Sequence, residues 1–173
     1  MKHHKSSFNY VASPNAKILI LGSMPGDVSI AATEYYAHPR NLFWDFMQQL
    51  LDIPREIEYE KRLELLQKKG IALWDVLGFC HREGSLDSNI DKETEQPNAI
   101  PELLDSCPNI RTIFFNGQKA HTSFKSHILQ LHPEIGQRCE LIVLPSTSPA
   151  NASIKVADKL ESWKKIIKYL DLF

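Results

Sequence analysis

An apolar run that stops at two glycines and a proline constrains this chain more than any other stretch. Residues 18–26 have the sequence ILILGSMPG. Four consecutive aliphatic residues predict a strand that is buried on both faces, as in a parallel sheet. Gly22 and Gly26 permit a close turn, and Pro25 restricts the backbone between them. Because ligands of open α/β sheets bind outside the carboxyl ends of such strands, we expect a binding site here.

Similar apolar segments alternate with segments of helical period along the rest of the chain. Predicted strands cover residues 17–22, 71–77, 110–115 and 141–144, and predicted helices cover residues 41–51, 56–69, 99–106, 119–131 and 156–170. This alternation predicts an α/β fold, a three-layer sandwich in which a central, mainly parallel four-stranded sheet is flanked by helices. Residues 78–97 are polar and acidic and are predicted to form a long loop, and residues 1–16 are predicted to form a partly ordered lead-in segment.

Length, charge and cysteine content narrow the functional classes. The 173 residues predict a single domain, and the net charge of -1 leaves no global field that would attract nucleic acid, so any basic surface is local. The three widely spaced cysteines exclude a CxxC zinc site and a four-cysteine iron–sulfur cluster. Without an apolar run of about 20 residues or a signal-peptide core, the chain is expected to be cytoplasmic and independent of membranes.

Residues 35–44, YYAHPRNLFW, bring two aromatic rings, a histidine, an arginine and an asparagine towards the same predicted strand end. These side chains suit a flat ligand that forms hydrogen bonds, and a nucleobase is the obvious candidate.

Four blocks in this order identify a family resemblance: GSMPG at residues 22–26, YAHPRNLFW at 36–44, FFNG at 114–117 and PSTSPAN at 145–151. Together they resemble the uracil-DNA glycosylase superfamily, and most closely its hypoxanthine-DNA (deoxyinosine) glycosylase family, over about residues 17–168. The resemblance implies a uracil-DNA glycosylase-like fold and an enzyme that hydrolyses the N-glycosidic bond of a deaminated base flipped out of DNA. It implies no metal ion and no organic cofactor, damaged DNA as the partner, and a monomer.

The resemblance also assigns roles within the first two blocks. The base pocket would comprise Gly22, Ser23, Met24, Pro25, Tyr36 and His38. Tyr36 would present its ring to the flipped base, although a plain core aromatic has the same sequence signature. Asn41 would be the catalytic residue, because its amide oxygen can accept a hydrogen bond from a water molecule aimed at the anomeric carbon. An Asn at this position would equally cap the following helix, and the two roles are compatible.

Asn116 would recognise the base. Hypoxanthine presents O6 as an acceptor beside an N1–H donor, uracil presents the same pair, and adenine and cytosine present the reverse pattern. A carboxamide held in one orientation complements only the first pattern. The alternative is an ordinary Asn-Gly turn.

Residues 145–151 match the motif that contacts DNA beside the flipped nucleotide. Ser146, Thr147 and Ser148 would bind phosphate groups, and Pro149, Ala150 and Asn151 would wedge into the duplex, although a plain loop before a helix fits them too. Arg40 and Lys119 are further candidate phosphate contacts, and five lysines between residues 155 and 168 add local positive charge.

Two departures from the superfamily pattern leave alternatives open. Ser23 and Met24 stand where most uracil-active families have Asp or Asn, and no histidine is present in residues 145–151. The first departure argues against efficient uracil excision, and the second predicts a weaker catalyst. The alternatives are therefore a mismatch-specific uracil glycosylase and a non-catalytic protein that binds DNA lesions. A flavodoxin-like ligand binder is disfavoured because no phosphate-binding glycine-rich loop follows the first strand.

Overall fold

The computed structural model describes residues 4–171. The strands within this range are β1 (His4–Ser6), β2 (Ile18–Gly22), β3 (Ile71–Asp75), β4 (Leu77–Arg82), β5 (Ile90–Pro97), β6 (Thr112–Asn116) and β7 (Glu140–Leu144). The α-helices are α1 (Asp27–Ala32), α2 (Phe43–Leu51), α3 (Tyr59–Lys68), α4 (Ile100–Ser106), α5 (Gln118–Phe124), α6 (Glu134–Arg138), α7 (Val156–Trp163) and α8 (Lys165–Leu170).

A four-stranded parallel sheet in the order β3-β2-β6-β7 forms the centre and confirms the predicted α/β fold class. Every residue of β2, β3 and β6 is buried, as expected for strands covered on both faces. The register pairs Gly22 with Asp75, and β6 ends at Asn116 on the other side of β2. The carboxyl ends of β3, β2 and β6 therefore meet at one edge of the sheet.

A second sheet was not predicted. Strands β1, β4 and β5 form an antiparallel sheet in the order β1-β4-β5. The prediction of a long loop over residues 78–97 is therefore wrong, because most of this segment forms the β4–β5 hairpin. Strand β5 is polar and largely exposed, so it lacks the apolar alternation by which strands are detected. Within the lead-in, β1 pairs with β4 and Val11 bridges Leu73; residues 1–3 lie outside the described residues.

Several helices differ from the predicted ranges. Helices α1 and α6 both lie in stretches without a predicted element. The predicted helix over residues 119–131 consists of α5 followed by a π-helical turn, Lys125–Leu129. The predicted helix over residues 156–170 is divided into α7 and α8, which meet at Lys164.

Helix α2 is fixed to the core by its aromatic residues, and this packing positions the segment before it. Phe43, Trp44 and Phe46 are each 2% exposed or less. The indole N–H of Trp44 donates a hydrogen bond to the backbone carbonyl of Tyr35 at 2.9 Å. Trp163 of α7 packs edge-on against Phe43 and donates to the carbonyl of Pro145 at 2.9 Å. The aromatic core thus holds the segments around residues 35 and 145 in place.

Candidate active site

A cavity of about 380 Å³ opens at the carboxyl edge of the parallel sheet. Its volume lies within the range of about 300–1,000 Å³ that small-molecule sites occupy. Most of the predicted site residues line it, namely Gly22, Ser23, Met24, Pro25, Tyr36, His38, Asn41, Asn116 and residues 146–151. The cavity is also lined by residues that had no predicted role, among them Asp75 and residues 85–88 of the β4–β5 hairpin.

At the floor of this cavity, Gly22 leaves no room for a side chain. A Cβ atom at Gly22 would lie 2.6 Å from Oδ1 of Asp75 and 3.1 Å from the hydroxyl oxygen of Tyr36. A contact of 2.6 Å is far below van der Waals distance, so any larger residue would displace one of these polar groups. Gly22 therefore permits a carboxyl group and a phenol to approach the strand end together.

The turn after β2 is held by the β4–β5 hairpin. Ser23 donates a hydrogen bond to Oδ1 of Asp87 at 2.7 Å. The guanidinium of Arg82 is 2% exposed, donates to the carbonyl of Pro25, and donates to the carbonyl of Gly84 at 3.0 Å. Burial of a charged group in this way requires such partners. The hairpin, which the sequence did not reveal, thus forms one wall of the cavity.

Tyr36 presents its ring to the cavity. The ring stacks on Phe43 with centroids 4.2 Å apart and an interplanar angle of 27°. Its backbone has a φ of 57°, which is uncommon for a residue with a large side chain. The buried hydroxyl lies beside Asn116 but makes no hydrogen bond of normal geometry with the described residues, and burial raises its pKa.

Asn41 lies two residues before Phe43, the first residue of α2, and its side chain binds the first backbone N–H of that helix. Its Oδ1 accepts a hydrogen bond from the backbone N–H of Phe43 at 2.9 Å, and the side chain also lines the cavity. The carbonyl of Thr147 accepts a hydrogen bond from the N–H of Leu42 at 3.0 Å, which joins this turn to residues 145–151. A carboxamide oxygen has two acceptor positions, so one remains for a ligand or a water molecule. The capping role is present, and it leaves room for the predicted catalytic role.

Asn116 is held by Thr147 on both sides of its carboxamide. Oδ1 accepts from the backbone N–H of Thr147 at 2.9 Å, and Nδ2 donates to Oγ1 of Thr147 at 2.9 Å. The orientation of the amide is thereby fixed, with one acceptor position and one N–H left over. Thr147 is fully buried, so its hydroxyl does not face the surface where the sequence placed a phosphate contact.

The remaining residues of the 145–151 segment form a tight, internally bonded loop. Ser146 Oγ accepts from the N–H of Ser148 at 3.1 Å, and Ser148 Oγ accepts from the N–H of Ala150 at 3.2 Å. The buried ammonium of Lys159 donates to the carbonyl of Asn151 at 2.5 Å. Gly117, with a φ of 98°, allows Ser146 to approach, since a Cβ there would lie 3.1 Å from Cβ of Ser146. The loop is therefore a rigid rim of the cavity.

The two predicted basic contacts lie outside the cavity lining. Arg40 is exposed, and its backbone N–H donates to Nδ1 of His38 at 3.0 Å. Lys119 forms an ion pair with Glu95 of β5, and Glu95 is also bonded to Ser123 and His127. Lys119 thus has a structural partner in the hairpin.

Sequence reasoning assigned no role to Asp75, which ends β3 at the cavity floor with 3% of its surface exposed. Its Oδ2 accepts a hydrogen bond from Ser7 at 2.8 Å. Burial is the main reason that the pKa of this carboxyl is raised to about 7; the Ser7 hydrogen bond and Arg82 lower the pKa, and the charge of Asp87 adds to the rise. A lone acid at the end of an apolar run was the available signal, because an unpaired buried carboxyl is costly and its presence indicates a purpose.

Within residues 4–171 there is neither a cluster of metal-binding side chains nor a helix that could span a membrane. No group of three or more His, Cys, Asp or Glu side chains in this range could hold a metal ion. No helix in the same part of the chain is both long and apolar enough to cross a membrane.

Fold and cavity together define an α/β protein with a cavity lined by aromatic and polar side chains at the carboxyl ends of its parallel strands. Comparison with known proteins identifies the family. A family model described as the Uracil DNA glycosylase superfamily matches residues 8–171. The chain therefore belongs to the uracil-DNA glycosylase superfamily, which confirms the resemblance found in its four sequence blocks.

Individual relatives agree with this assignment. The chain is 42% identical to a hypoxanthine DNA glycosylase of Methanosarcina barkeri over 117 residues, covering 67% of this chain and 73% of the relative. It is 35% identical to a hypoxanthine DNA glycosylase of Methanosarcina acetivorans over 167 residues, covering 95% and 99%. A solution NMR structure of a candidate uracil DNA glycosylase from Methanosarcina acetivorans superposes with a TM-score of 0.81 at 36% identity, covering 97% and 99%.

Proposed function

We propose that this protein is a monofunctional DNA glycosylase of base excision repair that removes hypoxanthine from DNA. The observation that carries the proposal is the cavity that Tyr36, Asn41 and Asn116 share at the strand ends. Two similar proteins are named hypoxanthine DNA glycosylases, which supports this substrate.

The flipped base enters the cavity, and the sugar and phosphates remain at its mouth. Extrusion of a base costs about a few kcal/mol, least when its pairing is already weakened, as in a deaminated pair. Tyr36 supplies an aromatic face for the base, and the stacking of its ring on Phe43 fixes that face before the substrate arrives. The pocket is therefore organised in advance, so little ordering remains when the base binds.

Asn41 positions the attacking water. Its Oδ1 accepts from Phe43 N–H and retains one acceptor position for a water directed at the anomeric carbon. An amide does not remove a proton at neutral pH, so the contribution is one of position and orientation. The oxygen of the water bonds to the anomeric carbon as the bond to N9 breaks.

Asn116 recognises the base through the acceptor position and the N–H that Thr147 leaves unused. Thr147 acts on specificity through Asn116 in this arrangement. Phosphate contacts fall to Ser146, Ser148 and Arg40, and residues 149–151 at the rim fill the space beside the flipped nucleotide.

The reaction ends at base release. No lysine lines the cavity in the described part of the chain, so no amine there is placed to form an imine with the abasic sugar. We infer a monofunctional enzyme that acts as a monomer of one domain in the cytoplasm.

A single-turnover assay on duplexes that contain hypoxanthine, uracil or xanthine, followed by alkaline cleavage of abasic sites, tests the proposal. Fastest cleavage at hypoxanthine is expected. Tight binding of lesions without any cleavage would replace this proposal by a lesion-binding protein. Asn41→Ala is the matched variant for catalysis, and full activity in it would remove Asn41 from the mechanism.

Uracil is the second candidate substrate, because the similar NMR structure is of a candidate uracil DNA glycosylase. Cleavage led by uracil in the same assay would establish a mismatch-type uracil glycosylase. Duplexes that carry uracil opposite T, G or C would then define the preferred opposing base.

A further inference from the structure

We propose that Asp75 is a second catalytic residue, a carboxylic acid that hydrogen-bonds N7 of the flipped purine and transfers its proton there as the glycosidic bond breaks. This inference rests on the proposed function and assigns a role to a cavity residue that lies outside all four sequence blocks. It accounts for how leaving-group chemistry is performed in a cavity whose rim loop, residues 145–151, contains no histidine.

The position of Asp75 is that of a group prepared for a ligand. The side chain lies at the cavity floor and is 3% exposed. Ser7, from the segment after β1, bonds Oδ2 at 2.8 Å and so fixes the carboxyl rotamer. Oδ1 is the atom directed at Gly22, within 2.6 Å of where a Cβ would be. One oxygen is therefore anchored, and the other is directed to the floor of the cavity.

A second polar atom at the same point indicates that a ligand belongs there. The Tyr36 hydroxyl oxygen would lie 3.1 Å from a Cβ atom added at Gly22, the same hypothetical atom that Oδ1 of Asp75 approaches. That oxygen is buried beside the carboxamide of Asn116 and makes no hydrogen bond of normal geometry with the described residues. Buried polar groups in folded proteins are normally satisfied, so an unsatisfied one in a cavity is explained by a partner that binds there. Gly22 leaves the space in which both groups reach that partner.

The surroundings of Asp75 allow a substantial fraction of it to stay protonated at neutral pH. Burial is the largest effect on its pKa, Asp87 of the hairpin loop adds a like charge, and Ser7 and Arg82 act in the opposite direction. Tyr35 and Tyr36, which also face Asp75, have pKa values raised by burial and remain neutral. The result is a pKa of about 7, which suits a general acid that works at physiological pH.

The step balances in atoms and electrons. The electron pair of the C1′–N9 bond goes to the base, the Asp75 proton bonds to N7, and hypoxanthine departs as a neutral molecule. Water supplies the oxygen that bonds to C1′ and releases one proton, which restores the Asp75 carboxyl through solvent. No oxidant, reductant or further reactant is needed.

Single-turnover rates on hypoxanthine duplexes between pH 5.5 and 9 test the proposal. For the wild type we expect a rate that falls above about pH 7. Asp75→Asn preserves shape and neutral charge but has no acidic proton, so its rate should be lower by about 10²-fold or more and independent of pH. Its affinity for hypoxanthine DNA should change by only a few fold, because the amide still donates a hydrogen bond.

Two further variants keep the acid but should shift the limb of the pH–rate profile, that is, the pH range over which the rate falls. Ser7→Ala removes a hydrogen bond that lowers the pKa of Asp75, so the limb should move to higher pH; Asp87→Asn removes a like charge, so the limb should move to lower pH. Asp45→Asn is the control, since Asp45 pairs with Arg55 outside the cavity lining, and the limb should stay in place.

Either a wild-type rate that is constant over this range or a limb that Ser7→Ala leaves unmoved overturns the assignment of Asp75. Both results still leave hypoxanthine excision itself intact. Loss of the proposed function has a different signature, namely that no lesion is cleaved at any pH.

Discussion

Thr147 fixes the carboxamide of Asn116 by donating its backbone N–H to Oδ1 and accepting from Nδ2 at its hydroxyl, both at 2.9 Å. The backbone N–H of Thr147 is a donor in every protonation state, so the amide oxygen must face it. The identity of the two amide atoms is therefore set by the backbone. Any base that binds Asn116 meets a donor and an acceptor in a fixed order.

We expect Thr147→Val to weaken this arrangement. Valine preserves the shape of threonine but leaves Nδ2 of Asn116 without its acceptor. The free energy of unfolding should fall by about 1–2 kcal/mol, since a buried donor loses its partner. Hypoxanthine excision should slow by about tenfold, a loss equivalent to roughly one hydrogen bond. Urea unfolding and single-turnover kinetics measure the two effects.

Thr122→Val is the matched control, because Thr122 is an exposed residue of α5 outside the cavity lining. It should leave both quantities near the wild-type values. An excision rate in Thr147→Val equal to that of the wild type would show that the orientation of Asn116 does not limit catalysis.

Capping and catalysis at Asn41 can be separated by two substitutions. Asn41→Ala removes the hydrogen bond to Phe43 N–H and should cost about 1 kcal/mol in stability. Asn41→Ser retains an oxygen able to cap the helix, so its stability should stay close to that of the wild type. Neither variant has a carboxamide, so excision should fall by about 10²-fold or more in both. Chemical unfolding and single-turnover rates distinguish the two roles. Full activity in Asn41→Ser would mean that Asn41 only caps the helix and has no catalytic role.

Arg40 and Lys119 should differ in their contribution to DNA binding. Lys119 is paired with Glu95, so Lys119→Ala should reduce stability by about 1–3 kcal/mol and leave the salt dependence of binding unchanged. Arg40 is exposed and follows the cavity residue His38, so Arg40→Ala should lower the slope of log K against log salt by about 1. Titrations of hypoxanthine duplex at several salt concentrations provide both slopes. A lower slope for Lys119→Ala would show that Lys119 contacts a phosphate group after all.

The central sheet was predictable because its strands carry their own signal. Strands β2, β3 and β6 are buried throughout, so each appears in the sequence as an apolar run with a clear end. Residues that follow such ends converge at one edge of a parallel sheet, which is why Asn116 could be placed beside residues 22–26, whereas the role of Asn41 came from the family resemblance.

The second sheet was not predictable in this way, because its signal is spread over distant segments. Strand β5 has the sequence IDKETEQP, and of its residues only Ile90 is buried. The sheet exists because β4 pairs with β5 on one side and with β1 on the other. Such pairing depends on contacts between residues far apart in sequence, which local periodicity does not record.

The role of Asp75 was missed for a related reason. Within residues 71–77 it is one acid in an apolar run, and a run alone does not indicate which side chain faces a cavity. Its environment becomes visible only through the register that places it opposite Gly22 and through the hydrogen bond from Ser7.

The burial of Asp75 also predicts how stability depends on pH. The unfolded chain releases this proton near the usual pKa of 3.8, whereas the folded protein retains it until about pH 7. Between these values the folded state binds more protons, so the free energy of unfolding falls as pH rises, by up to about 4 kcal/mol in total. Asp75→Asn has no proton to lose. It should therefore be more stable than the wild type at pH 8, and this advantage should disappear towards pH 4.

Urea unfolding at pH 4, 6 and 8 measures this difference. Subtracting the free energy of unfolding of the wild type from that of the variant removes the contributions of all other groups. Asp45→Asn, at a partly exposed acid paired with Arg55, is the matched control and should show a much smaller change. A difference between wild type and Asp75→Asn that stays constant over this range would mean that Asp75 ionises in the folded protein as easily as in the unfolded chain. The carboxyl would then be charged at neutral pH, and Asn41 alone would remain to carry the reaction.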